Sequence, residues 1–534
     1  MKERYLFLSI CVSMLLSLCG CTQADKQVVI LFTNDTHSQI YPIAADAKRN
    51  ADMGGVERRK VLIDSLRSVY PDALLVDAGD AVQGTLFFKF FRGEVEYQLM
   101  DMLGYDIRIL GNHEFDNGIE DIAKHNSKCK SDILSSNYDA DNTALKNILK
   151  PYSIKKVAGK KIGFIGLNIN PKGLITDANI GGIVWSDIAE KANALAYELK
   201  HKKNCDMVVA ITHIGYEKEN GKITDAELAQ QSRDIDIIIG GHSHTLLNSE
   251  NDAKFPRLIK NLNGQDVLVA QCGKSGKYLG YIKIDLDDLT DDDREFESKL
   301  IRVDSRLDLT RDANIDKFLS PYIQVVDSVN SVPIAFASMD MSNDERYGAF
   351  PNWTADFAQH YSRQLVDSLK KTHNAFGVND VVDFSIMNVG GIRQPLYKGN
   401  VSEGQILSAF PFSNRIVLVR IKGSDLREVF ESMARKGGEA VSNEVRVIVD
   451  NKSLRNVLIN GRPLENDRDY LVCTIDYLAW GNDDMDSLTK GEIIWADKEE
   501  LSVRMLEYIK WLTEVGLPIY SDPGSRFVES IAIK

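Results

Sequence analysis

Five short stretches of this 534-residue chain share one construction, an apolar run that stops at side chains able to bind metal. "VVILFTNDTH" ends in Asp35 and His37, "ALLVDAGD" in Asp80, "ILGNHEFD" in Asn112 and His113, "MVVAITH" in His213, and "IDIIIGGHSH" in His242 and His244. Each run is short enough to be a buried strand, so each delivers its polar residues at a strand end, where several strands can feed one crevice. The chain has nine histidines, and five of them fall at these positions, which scattered histidines would not do. Taken alone, a histidine after a strand is more often a hydrogen-bonded core or surface residue than a ligand, but five in one pattern reverse that reading. With His113 set aside, Asp35, His37, Asp80, Asn112, His213, His242 and His244 suffice for two divalent ions if one carboxylate bridges them. The mixed nitrogen and oxygen donors suit zinc, manganese, iron or cobalt better than magnesium or calcium. Two ions about 3.5 to 4 Å apart are suited to holding phosphate oxygens through an in-line displacement.

The elements that must position these residues follow a rhythm. From residue 27 to about 305, short apolar runs alternate with longer amphipathic stretches, which predicts a layered α/β architecture. The charged run "DDLTDDDREFESKL" reads as turn-rich and marks the approach to a boundary. After it, "DANIDKFLSPYIQVVDSVN" has helical spacing, with Phe318, Tyr322, Val325 and Val326 on one stripe, and is read as a connecting helix. From about 332 a second α/β unit begins, with strands such as "DFSIMNV", "RIVLVRI" and "DYLVCTI".

Charge and the N-terminus bound the function. A formal net charge of -13 argues against nucleic-acid polymers as partners while allowing a small anionic substrate at a metal or an arginine. Lys2 and Arg4 precede the apolar "YLFLSICVSMLLSL", which reads as an export signal too short for a comfortable membrane span. Its ending, "LCGC" at 18–21, resembles a bacterial lipobox, which implies removal of residues 1–20 and lipid on Cys21. That makes the expected setting the bacterial cell envelope, with a lipid anchor in place of a spanning helix and the outer membrane as the expected site. Of the remaining cysteines, Cys129, Cys205, Cys272 and Cys473 show no CxxC spacing and read as buried thiols or one opportunistic disulfide. "CGKSGK" at 272–277 lacks the leading glycine of a phosphate-binding loop, since Leu268 stands there, and reads as a solvated turn.

In order, Asp-x-His, Gly-Asp, Gly-Asn-His-Glu, His and Gly-His-x-His resemble the calcineurin-like metallophosphoesterase superfamily over most of residues 28 to 245. The resemblance implies one metal on Asp35, His37, Asp80 and His244 and another on Asp80, Asn112, His213 and His242, with Asp80 bridging. It implies that His113 faces the transferring phosphoryl group or the leaving oxygen and that Asp116 orients its ring; Glu114 reads as a structural hydrogen-bonder. The second half resembles the C-terminal domain of the 5′-nucleotidase family, through "NVGGIR" (388–393), "AFPFSN" (409–414) and "DYLAWGNDD" (476–484). That resemblance implies polar nucleotide contacts from Asn388 and Arg393, base stacking between Phe412 and Tyr477, a ribose contact from Asp483 and a base-edge contact from Asn414. "NWTADFAQHYSRQL" is similar to the family's helix carrying another substrate arginine, which would be Arg363, one residue out of step. Asp484 and Met485 depart from the glycine and aromatic usual after the acidic residue.

The expected organisation is a signal at 1–20, a catalytic domain at 21–310, a connecting helix at 311–331 and a substrate-binding domain at 332–534. The expected activity is hydrolysis of nucleoside 5′-monophosphates to nucleoside and phosphate. Cyclic-nucleotide phosphodiesterase with 3′-nucleotidase activity, and nucleotide-sugar or dinucleotide pyrophosphatase, share these motifs and stay open. A non-catalytic nucleotide-binding lipoprotein would need neither His113 nor seven ligands.

Overall fold

The computed structural model describes residues 27–530 apart from 46–49, 217–221, 249–255, 286–294, 344–345, 347 and 372–374. The export signal and Cys21 therefore lie outside the described residues. Each of the five apolar runs of the first half falls on a strand, and Lys160–Asn168 adds a sixth. Gln27–Thr33, Leu74–Asp77 and Ile107–Ile109 join a seven-stranded sheet, and Lys160–Asn168, Met207–His213 and Ile237–Ile239 a six-stranded one. Side chains alternate across each strand, so the same strand serves two cores. Val28, Ile30 and Phe32 pack between the sheets with Phe164, Val209 and Ile239. Val29 and Leu31 face the other way, toward Ile63, Leu99 and Leu103 on helices. On the second sheet, Ile165, Val208 and Ile238 pack against Ala192, Ala196 and Leu228 in the same manner. The result is four layers, helix–sheet–sheet–helix, and it explains why these strands are apolar on both faces.

The charged run before the boundary is partly strand. Phe296–Arg302 pairs antiparallel with Tyr278–Asp285 at the sheet edge, where only one face is covered and charged residues can alternate outward. The connecting helix is Ala313–Asn330, capped by Asp312, whose carboxylate accepts from the backbone of Asn314 and Ile315. Its buried stripe is Ile315, Leu319 and Val326, with Tyr322 half-buried against Phe91 at 4.7 Å between ring centroids. Val325, placed on that stripe by its spacing, is one step of about 100° out of phase with it and is exposed.

The second half centres on a five-stranded sheet containing Phe384–Met387, Asp469–Ile475, Arg415–Lys422 and Glu492–Glu500. The helices Ala349–Leu369, Gly423–Lys436 and Leu501–Glu514 cover it, contributing Phe357, Phe430 and Ile509 to the core. The four cysteines are free thiols, with Cys205, Cys272 and Cys473 buried. Among the described residues no helix is long and apolar enough to cross a membrane.

Candidate active site

Every strand-end motif of the first half arrives at one place. Asp35, His37 and His244 form one group whose donor atoms lie within 4.8 Å of one another, and Asp80, His213 and His242 form a second. In the first, His37 Nε2 is 2.9 Å from His244 Nε2, and Asp35 Oδ1 is 3.4 Å from His244 Nε2. In the second, Asp80 Oδ2 is 3.2 Å from His213 Nε2, and Asn112 Oδ1 is 2.9 Å from His242 Nδ1.

The backbone is bent to achieve this. Asp35, His37, Asp80, His242 and His244 all have left-handed φ, between 48° and 78°. Non-glycine residues rarely adopt that conformation, and its concentration at these five positions marks strain held for a purpose. Asp35 N donates to Gly79 O at 2.9 Å and His37 N to Asp80 O at 3.0 Å, which ties the two loops together. Glycine is required where they touch. A Cβ on Gly111 would lie 2.2 Å from Asp80 Oδ1, and one on Gly241 would lie 2.8 Å from His213 Nδ1.

Donor chemistry fits metal binding. His213 Nδ1 donates to the Ala78 carbonyl at 2.7 Å, which fixes the ring and turns the buried Nε2 into the site, 3.2 Å from Asp80 Oδ2. Burial disfavours the His213 cation, but Asp80 and Asp35 outweigh it and push the imidazole up to about 10. Burial alone would raise the Asp80 carboxyl, yet His213 and His113 hold it well below the usual carboxylate range. Asp35 likewise would rise with burial, and His244 brings it down to about 2. The carboxylates thus favour their ionised forms, and His213 would give up its imidazolium proton to hold a metal there.

His113 lies outside both groups. Its ring meets Asp116 Oδ2 through Nδ1 at 3.0 Å, and its backbone N donates to Asp80 Oδ1 at 2.9 Å. Burial works against its charged form, but Asp116 and Asp80 raise it above the ordinary imidazole value. Glu114 accepts from the backbone of Asp80 at 3.0 Å and of Ala81 at 2.9 Å, in keeping with a structural role. "CGKSGK" is a turn, but a packed one: Ser275 N donates to Asp35 O at 2.7 Å, so the turn supports a ligand loop instead of lying in solvent.

The second half brings its own polar cluster to the same cleft. Asn388 Nδ2 donates to Asp483 Oδ2 at 3.2 Å, and Tyr477 Oη donates to Asp483 Oδ1 at 3.3 Å. The Arg393 guanidinium sits 5.8 Å from the Phe412 ring centroid, and the Phe412 ring is 5.9 Å from that of His113. Asn414 lines a small cavity with Asn388 and Phe412. Burial lowers the Arg393 guanidinium below its usual value, opposed by the carboxylates of Asp116, Asp80 and Asp35 in the first half and Asp483 in the second.

Arg363 is the exception. It reaches Glu444 at 3.1 Å from a half-exposed position on Ala349–Leu369, and is not brought into the cluster around Asp483. The helix turns toward the core through Thr354, Ala358, Ser362 and Val366, so the next residue after Ser362 is rotated outward. Sequence reasoning missed two residues here. Glu439 is buried and accepts from Val389 N at 2.5 Å, and Arg346, in the loop before the helix, is 3.7 Å from it. Their only signal in the sequence is charge.

Two clusters of metal donors, with the His113 ring 5.5 Å from that of His37 and an arginine close by, define a metal-dependent phosphoester hydrolase. Residues 28–246 match the family model of calcineurin-like phosphoesterases. Residues 332–490 match that of the 5′-nucleotidase C-terminal domain, so the chain belongs to the 5′-nucleotidase family. A 5′-nucleotidase of Mus musculus is 27% identical over 526 residues, spanning 90% of this chain and 88% of that one. A snake venom 5′-nucleotidase of Naja atra is 26% identical over 533 residues, spanning 92% and 97%. The crystal structure of a 5′-nucleotidase precursor from Thermus thermophilus superposes with a TM-score of 0.80 at 25% identity, over 94% of this chain and 99% of that one.

Proposed function

We propose that the chain hydrolyses nucleoside 5′-monophosphates to nucleoside and phosphate, with the first half doing the chemistry and the second choosing the substrate. The observation that carries this reading is the approach of Phe412 to His113, at 5.9 Å, which joins a base-stacking surface to a phosphoryl site in one cleft. Asp35, His37, Asp80 and His244 would hold one divalent ion and Asp80, Asn112, His213 and His242 the other. Bound there, the ions supply positive charge that polarises a phosphate ester and favours in-line displacement.

The chain's own residues do the rest. Arg393, beside Phe412, neutralises phosphate charge. His113, held by Asp116, gives a proton or a hydrogen bond to the oxygen on which charge develops. Asn388 makes a polar contact to the nucleotide, Asp483 holds a ribose hydroxyl, Asn414 meets the base edge, and Phe412 and Tyr477 stack on its faces. The reading keeps the division expected from sequence, a catalytic domain at 21–310, a helix at 311–331 and a substrate domain at 332–534. It also keeps lipid on Cys21 and a cell-envelope location, so that nucleotides outside the cytoplasm are the substrates.

Truncating Phe412 and Tyr477 to Ala tests the division of labour. Base stacking is worth about 1 to 3 kcal/mol per aromatic face, so each change should lower kcat/KM for a nucleotide about 5- to 150-fold. Hydrolysis of a small aryl phosphate, which needs no base recognition, should fall far less on the same folded protein. Equal losses for both substrates would make the aromatics supports of the fold and end their assignment as a clamp.

A further inference from the structure

Asp35, His37 and Ser38 have φ of 50°, 48° and 55°, and none is glycine, so neighbours must hold this loop in place. Two supports converge on it. On one side, Ser275 N holds Asp35 O, and the adjoining Gly276 lies against Arg59, where an added Cβ would meet the guanidinium carbon at 3.1 Å. On the other, the Ser38 hydroxyl donates to Glu96, Ser38 N donates to Ala81 O at 2.9 Å, and the Thr85 hydroxyl donates to Ser38 O at 3.0 Å. Glu96 comes from the helix Glu94–Leu103, outside every strand-end motif, and is 5% exposed.

Both supports border one cavity of about 20 Å³, lined by Ser38, Arg59, Glu96 and Tyr105 among others. Arg59 Nε and Glu96 Oε2 are buried and have no hydrogen-bond partner among the described residues. One is a donor and the other an acceptor, and the volume suits about one water molecule.

We propose that this cavity binds a single water between Arg59 Nε and Glu96 Oε2, and that Glu96 is a positioning residue which, through Ser38, aims His37 at its metal. The inference rests on His37 being a ligand, as read above. Metal ligands depend on such outer contacts for their orientation, and losing one typically costs about 10- to 100-fold in metal affinity. Glutamine keeps a side-chain oxygen that can accept from the Ser38 hydroxyl, so Glu96→Gln preserves that support, whereas leucine removes it.

The test is metal affinity of the full chain, by equilibrium dialysis with zinc and by the cobalt absorption spectrum, in Glu96→Leu, Ser38→Ala, Glu96→Gln and His37→Ala. Glu96→Leu and Ser38→Ala should weaken one of two ions about 10- to 100-fold and spare the other, while Glu96→Gln keeps both. If folded Ser38→Ala and Glu96→Leu hold both ions as tightly as the parent, Glu96 does not position His37. If His37→Ala itself keeps both ions, the ligand assignment fails, whatever Glu96 does. A crystal structure of the parent should place a water within hydrogen-bond distance of both orphan atoms, and a dry cavity would overturn the bridge.

Discussion

Asp80→Ala should yield a folded protein that zinc, manganese or cobalt cannot reactivate. The parent, stripped by a chelator, should recover with the same ions. The difference follows from what Asp80 touches. One carboxylate oxygen is 3.2 Å from His213 Nε2 in the second donor group, and the other accepts from His113 N at 2.9 Å. Its charge also acts on His37 in the first group. Alanine therefore strips both proposed ions of a ligand and removes the contact that sets His113. The backbone bonds around it, from His37 N to Asp80 O and from Asp80 N to Glu114, remain available to keep the loop. The loss in kcat/KM should exceed the roughly 10- to 100-fold of an outer-contact change, reaching about three orders of magnitude or more. Metal content and circular dichroism on the same sample separate loss of ions from loss of fold. Recovery of activity with added metal would mean that Asp80 does not bridge.

His113→Ala should do the opposite to metal content and nearly as much to turnover. The ring lies outside both donor groups, so two ions should stay bound, while kcat falls about 10²- to 10⁴-fold, the usual worth of a positioned acid or base. Asp116→Asn adds a pH test with a definite sign. Asp116 helps raise the His113 imidazole, so removing its charge lowers that pKa. If protonated His113 is the working form, activity is lost as pH rises through its pKa, and the alkaline limb of kcat/KM must move to lower pH in Asp116→Asn. A lost ion in folded His113→Ala, or an unmoved limb in Asp116→Asn, would contradict the assigned role.

Where the sequence carried a repeated local pattern, it could be read. The runs ending at Asp35, Asp80, Asn112, His213 and His242 were legible because a buried strand is continuously apolar and its end is the first place polar residues can stand. The structural reading of Glu114 could not name its partners, because the amides of Asp80 and Ala81 that it accepts from lie 34 and 33 residues away. Glu96, Arg59, Glu439 and Arg346 were not legible, because they meet across long sequence separations and their spacing carries no period. Arg363 shows the resolution of helical phase, where one residue decides between the core-facing side and Glu444. The strand Phe296–Arg302 was hidden by its charges, which an edge strand tolerates on its open face.

Product analysis on the metal-loaded full chain tests the central claim most directly. Adenosine 5′-monophosphate, a 2′,3′-cyclic nucleotide, a uridine diphosphate sugar and nicotinamide adenine dinucleotide are compared by kcat/KM and by the products formed. The account predicts the highest kcat/KM for the 5′-monophosphate, with adenosine and phosphate in equal amounts and complete loss on chelation. A protein that holds two ions yet releases no phosphate from any nucleoside 5′-monophosphate, or that prefers to cut the pyrophosphate or cyclic bond, would contradict it.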